Sequence, residues 1–292
     1  MSNAVEQFIH RYPLLDTPRP LGRHVRHDPR SVHYGVSVRP RSAIKSVAWT
    51  RRTGILDQGQ IGCCVPNAGT GLLGTDALGY TGQSTVTVPK ADSKGEFKAG
   101  SAWATDETFA LNGYRLVTRL DTYPGQWEPT DTGSDGLTMA KALVMLGLAD
   151  VYQHAFSIDA LLSALQNGPV IAGTEWENSQ FTPAADGRLT VDFTSGVAGG
   201  HEYLIRKFDA ENGRIWIDNS WGESWGVGGR AYYTVADFTA LLKRSGDITV
   251  PHLIGSAPIP VPPAPPVPPA PPVAADMALV AAFETWRAAV GA

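Results

Sequence analysis

The chain has 292 residues, 43% of them hydrophobic and 9% aromatic, with a net charge of −4. That is enough apolar material for one large domain or two smaller ones, and it lacks the basic excess of a nucleic-acid binder. No stretch approaches the ~20 apolar residues of a membrane span, and residues 1–20 hold no apolar run of signal-peptide length.

The charge is unevenly spread. Residues 1–45 carry eight Lys/Arg against Glu6, Asp16 and Asp28, a net of +5, which leaves −9 for the remainder. A basic arm of this kind folds back onto the acidic body, holds an acidic partner, or stays solvated. Its Pro, Arg and His content shows no sustained period and indicates an extended segment with short β-like pieces. His24, His27 and His33 have no cysteine or acidic cluster beside them, so no metal or other cofactor is expected.

The globular part starts near Ser46, with a β-prone lead-in at 46–49. From Cys64 to about Leu78, the residues Val65, Ala68, Leu72, Leu73, Ala77 and Leu78 fall at helical spacing. Pro66 is tolerated in the first turn. Gly69, Gly71 and Gly74 are poor helix formers, so packing must hold this helix, with other backbone close by. A strand is expected at 84–88, helices at 104–118 and 138–146, and a turn-rich stretch at 123–136. Ser157 is a candidate N-cap for a helix over 158–166. Strands follow at 170–176, 189–193, 201–208, 214–219 and 230–235, then a helix at 236–243 and a strand at 247–250. Glu211-Asn212-Gly213 is a hairpin turn. A helical first half and a strand-rich second half give an α+β chain of two lobes with a cleft between them.

Residues 258–273 are low-complexity, with PPAPPV twice in tandem, and polyproline II geometry there spans on the order of 50 Å. Beyond it, Leu279, Phe283, Trp286 and Val290 make one apolar stripe on a short helix. The stiff spacer favours docking onto an unknown partner chain or a second copy over folding back.

The chemistry centres on Asp57 to Pro66, DQGQIGCCVP. The two cysteines, Cys63 and Cys64, are the only ones in the chain, and a bond between sequence neighbours is strained. A cysteine at a helix start is a ready nucleophile, because the helix dipole and a nearby imidazolium favour thiolate. It needs a base, an orienter and an oxyanion site. Of seven histidines, only His201 heads an apolar strand after a glycine pair, Gly199-Gly200. Asn219 ends the next strand across the 211–213 hairpin. His201 and Asn219 lie 137 and 155 positions after Cys64.

These three motifs, DQGQIGCC, GGHEYLI and IDNSWGESWGVGG, resemble those of papain-like cysteine peptidases over roughly residues 46–250. The resemblance implies a helical lobe at about 46–150 and an antiparallel β-barrel-like lobe at about 151–250, within a domain of 46–255. A 256–274 linker and a 275–292 helix would follow. In the family the oxyanion glutamine precedes the nucleophile by six residues; Gln58 thus selects Cys64 and leaves Cys63 a spectator. His201 then serves as base, Asn219 as its orienter, Trp221 as a shield and Gln58 as an oxyanion donor. Gly133, Ser134, Asp135 and Gly136 occupy the place of the substrate-binding edge.

The chain departs from the pattern at Val65, where an aromatic is common, and at Ile61, where a disulfide cysteine is common. Glu202 replaces a small or apolar residue; its charge either raises the pKa of His201 or tunes the cleft. The CVPNA continuation looks bacterial or phage-type. The arm lacks the family's long helical pro-segment pattern, which leaves open whether it covers the cleft. The expected function is peptide hydrolysis through a Cys-His-Asn triad and a thioester, on a peptide or protein substrate. The alternatives are a phage-borne cell-wall peptide hydrolase and a virion or scaffold protein of little activity. The expected location is cytoplasmic as synthesised, or a phage virion.

Overall fold

The computed structural model describes residues 8–12 and 17–258. The expected polyproline spacer and terminal helix lie outside the described residues, apart from the first residues of the spacer. All described residues belong to one compact unit, Met1–Val261.

The arm lies back on the body. Strand β1 (Phe8–His10) pairs antiparallel with β2 (Val25–His27), Ile9 opposite Arg26. Strand β3 (Val47–Ala48) leads into the body.

Helix α1 (Cys64–Leu73) is buried at every residue. Its glycines are points of close approach: a Cβ on Gly69 would stand 2.3 Å from Met139 Cε. The helix stops before the expected residue 78, because Gly74 packs on Thr53 and the chain turns back through an Ala77–Tyr80 bridge. Strands β4 (Thr85–Thr87) and β5 (Ala102–Ala104) form a separate ribbon. Helix α2 (Glu107–Leu120) begins three residues later than expected, because the Asp106 carboxylate accepts from the Thr108 and Phe109 N–H groups. Helix α3 (Gly136–Leu146) is capped by Asp135 and closed by Gly147 at φ 74°.

The remaining elements are β6 (Ala149–His154), α4 (Ile158–Leu165), β7 (Val170–Glu177), β8 (Val197–Asp209), β9 (Arg214–Asp218), β10 (Arg230–Thr234), α5 (Val235–Leu242) and β11 (Asp247–Leu253). Ser157 caps α4 as expected. The strands make one antiparallel sheet in the order β10-β9-β8-β7-β11-β6, with β3 against β8.

Two expectations need correction. The sheet is open, not barrel-like: irregular segments cover its two edges, Arg188 bridging Tyr232 on β10 and Gly35 bridging His154 on β6. Residues 189–193 form no named strand. The Asp192 carboxylate accepts from Thr194 N–H and starts a single turn, Phe193–Ser195, which takes that backbone out of a ladder.

Two apolar clusters result. One, between the sheet and α4 and α5, includes Trp176, Trp221, Trp225 and Phe238. The other gathers α1, α2 and α3 through Leu72, Phe109, Met139 and Leu143, and it includes Cys63 and Cys64.

Candidate active site

His201 sits on β8 opposite Thr174 of β7, in a ladder that places Glu202 opposite Gly173. The hairpin at 211–213 returns the chain as β9, with Asp218 opposite Leu204. Asn219 therefore follows directly beside His201. Its Oδ1 lies 2.6 Å from His201 Nε2 and also accepts from Ser220 N–H at 2.8 Å. Because that oxygen accepts, Nε2 carries the imidazole proton and Nδ1 is left with its lone pair. His201 Nδ1 is buried and has no hydrogen-bond partner among the described residues.

Trp221 stacks on the imidazole at 4.6 Å between ring centroids. Trp176 meets it edge-on at 4.9 Å. Trp176 escaped sequence reasoning, since a strand tryptophan reads as ordinary core. Together the two rings fix the plane of the imidazole.

Gln58 is tied to the same loop from both ends. Its backbone N–H donates to Ser220 O at 2.9 Å, and its Oε1 accepts from Ser220 Oγ at 2.6 Å. That leaves Nε2 as donor, to Ile61 O at 2.8 Å and to Pro20 O at 3.3 Å. Ser220 was not anticipated; its place between Asn219 and Trp221 was the available signal.

Cys64 is the first residue of α1 and is fully buried. Burial pushes its thiol up to about 12, against the backbone N–H groups of Glu202, Gly22 and Val65, which favour the thiolate. The Glu202 N–H places the sulfur against the residue next to His201. Burial likewise lowers His201 to about 4, partly offset by Asn219. Thiol and imidazole are thus both neutral in this covered state. Burial raises the Cys63 thiol as well, and its sulfur accepts from Asn67 Nδ2 at 3.2 Å.

The arm is what covers the site. Pro20 O accepts from Trp221 Nε1 at 3.2 Å, Arg23 N–H donates to Gly200 O at 3.0 Å, and His24 N–H donates to Ser134 O at 2.7 Å. Ser134 N–H returns a bond to Gly22 O at 2.8 Å. Of the residues expected on a substrate-binding edge, Ser134 pairs with the arm backbone, Gly133 holds the turn before it at φ 69°, Asp135 caps α3 and Gly136 begins it. The glycine pair before His201 makes room, since a Cβ on Gly200 would stand 2.3 Å from Arg23 O.

The sequence left two roles open for Glu202. Burial pushes its carboxyl well above the usual carboxylate range, with Asp247 acting in the same direction and Arg23, at 3.8 Å, against it, while His201 is moved by burial and Asn219. Glu202 is thus not among the groups that shift His201. No group of three or more metal-ligating side chains occurs among the described residues.

An α-helical cluster facing an open antiparallel sheet, with a buried cysteine at a helix start, is the fold of papain-like cysteine proteases. Among solved structures, xylellain, a cysteine protease from Xylella fastidiosa, is similar at 18% identity and a TM-score of 0.56, covering 83% of this chain and 100% of that one. The proform of the ragweed pollen allergen Amb a 11, a cysteine protease, matches at 16% identity and a TM-score of 0.48, over 76% of this chain and 68% of that one. Digestive procathepsin L 3 of Tenebrio molitor larval midgut matches at 19% and 0.42, over 75% and 73%. No protein-family model and no curated protein sequence matches the chain.

Proposed function

We propose that the protein is a thiol peptidase, present here in a latent form with its arm across the cleft. The observation that supports this reading is the His201–Asn219 contact of 2.6 Å, which leaves the Nδ1 lone pair without a partner among the described residues.

With the arm displaced, Cys64 Sγ gives its proton to His201 Nδ1 and attacks the carbonyl carbon of a peptide. The Cys64 N–H and Gln58 Nε2 receive the oxyanion. Collapse expels the amine, which takes the proton from His201, and leaves a thioester on Cys64. Water, deprotonated by His201, then hydrolyses the thioester and frees the carboxylate and the thiol. Asn219 keeps the imidazole in the required tautomer.

The arm itself is not a substrate. The imidazole that must protonate the leaving amine packs on Trp221, beneath Pro20. The leaving side of a substrate therefore runs toward Pro20, and the acyl side toward Gly200 and Ser134. The arm passes from Pro20 to Arg23 in the opposite direction, and it presents the Gly22 N–H to the sulfur instead of a carbonyl carbon.

The test is hydrolysis of fluorogenic peptides, and labelling by a thiol-directed epoxide, in a full chain with a loosened arm. Cys64→Ala abolishes both and Cys63→Ala retains both. Labelling that survives Cys64→Ala and is lost in Cys63→Ala overturns the assignment.

A further inference from the structure

Arg23 is fully buried although it belongs to a displaceable arm. Its guanidinium enters the wall of the cleft. There Nη2 bonds the Asp247 carboxylate and donates to Ser245 O at 2.6 Å, while Nε lies 3.8 Å from Glu202 Oε2. Two glycines clear this space. A Cβ on Gly173 would stand 2.3 Å from Glu202 Oε2 and 2.5 Å from Arg23 Nε, and one on Gly136 would stand 2.4 Å from Glu202 Oε1.

Without Arg23 the two carboxyl groups lose their resident cation; on its other side Asp247 lines a cavity with Arg26, His27 and His154. Glu202 is fully buried, and neither of its carboxylate oxygens has a hydrogen-bond partner among the described residues. Burial favours the neutral form of Glu202, so its carboxyl is charged only when a cation such as the Arg23 guanidinium stands beside it. A further acid that acts on Glu202, Asp135, is met by Arg26 at 3.9 Å.

The pocket's address along a substrate follows from the arm. Gly22 faces the Cys64 sulfur and Arg23 is the next residue toward the acyl side, where its N–H pairs with Gly200 O.

We propose that this pocket takes an arginine or lysine side chain of the substrate, at the residue preceding the one whose carbonyl is attacked. Asp247 and Glu202 are its specificity-determining residues, and Arg23 of the arm is its intramolecular occupant. The inference rests on the peptidase reading.

The test uses the full chain carrying Arg23→Gln, which removes the resident cation and keeps much of the side chain. Dipeptidyl coumarins are compared that differ only at the first residue, Arg, Lys, Leu or Glu, with glycine held next to the coumarin. The expected order in kcat/KM is Arg and Lys above Leu, and Leu above Glu. Asp247→Asn and Glu202→Gln each lower the Arg-to-Leu ratio about tenfold or more, the effect of losing one buried charge partner. A purely structural role lowers all four rates together and leaves the ratio in place. If Arg23→Gln does not fold, Gly22→Val in the full chain carries the same comparison.

Hydrolysis without preference for a basic residue, or a ratio unmoved by both substitutions, overturns the specificity assignment and leaves the peptidase standing. No hydrolysis of any peptide by either opened chain overturns the peptidase reading and this inference with it.

Discussion

Gly22 and Gly62 meet with no room for a side chain between them: a Cβ on Gly22 would stand 1.8 Å from the Gly62 carbonyl oxygen. Both atoms belong to backbone, so neither can swing aside. This contact seats the arm over Cys64, and it suggests how to lift it. Gly22→Val should leave the body folded and expose the cleft. Labelling of Cys64 by a thiol-directed epoxide should become at least tenfold faster than in the unaltered chain, as read by mass spectrometry. An unchanged rate would mean that the arm does not control access.

Asn219 holds the imidazole through one 2.6 Å bond. In Asn219→Ala that bond is gone and the ring is free to exchange tautomers. A hydrogen bond that involves a charged state is worth roughly 1.5–3 kcal/mol, which corresponds to about a 10- to 100-fold loss in kcat. Steady-state hydrolysis by the opened chain checks this.

Gln58 Nε2 is aimed by the bond from Ser220 Oγ to its Oε1, at 2.6 Å. Gln58→Ala should lower kcat by roughly 10²–10³, the usual loss for one oxyanion donor. Ser220→Ala should give a smaller loss in the same direction, because the amide stays but is less firmly held. Equal losses in the two variants would contradict that division of roles.

His24 makes arm closure depend on pH. Its Nε2 lies 2.6 Å from Thr132 O, while Nδ1 accepts from Tyr12 N–H at 3.3 Å, so the buried ring is neutral. Burial lowers its pKa from 6.5 to about 4, with Arg11, Arg23 and His10 acting in the same direction and the Thr132 carbonyl against it. The folded value lies below the ordinary one. The contribution to closure is therefore complete above pH 6.5 and is lost as the pH falls toward 4, by roughly 3 kcal/mol in all. Protection factors of the Arg23 and His24 amides should fall across that window. The fall should be shallower in His24→Gln, where this titration is removed while other groups still contribute.

Asp218 anchors the strand that carries Asn219. Its carboxylate is 1% exposed and faces Arg206 at 2.8 Å, Arg230 at 3.3 Å and Arg51 at 3.4 Å. Asp218→Ala strips three guanidiniums of a common partner and should cost roughly 3–5 kcal/mol of stability, as for a broken buried ion pair. Urea denaturation measures it. A change below about 1 kcal/mol would show that water replaces the carboxylate.

Much of the candidate site was legible because it rests on local chemistry. The six-residue step from Gln58 to Cys64, the glycine pair before His201, and the hairpin that returns Asn219 are sequence-adjacent signals. Period and capping placed α1, α3 and α4 for the same reason. The errors fell where a neighbour distant in sequence decides. Helix α1 ends early against Thr53, and β6 exists because β11 pairs with it. Residues 189–193 are the exception, since a local contact, Asp192 to Thr194 N–H, takes them into a turn.

The amino-acid sequence by itself singled out Cys64, His201, Asn219 and Gln58 as candidates, since each lies at or beside the start or end of an element. It also determined that a basic arm precedes an acidic body. Only the tertiary structure decided where that arm goes and what it meets there. Arg23, Glu202 and Asp247 are far apart along the chain, and their meeting depends on Gly173 and Gly136 leaving space beneath them. Pairing across that distance is set by packing and charge, which no local pattern encodes.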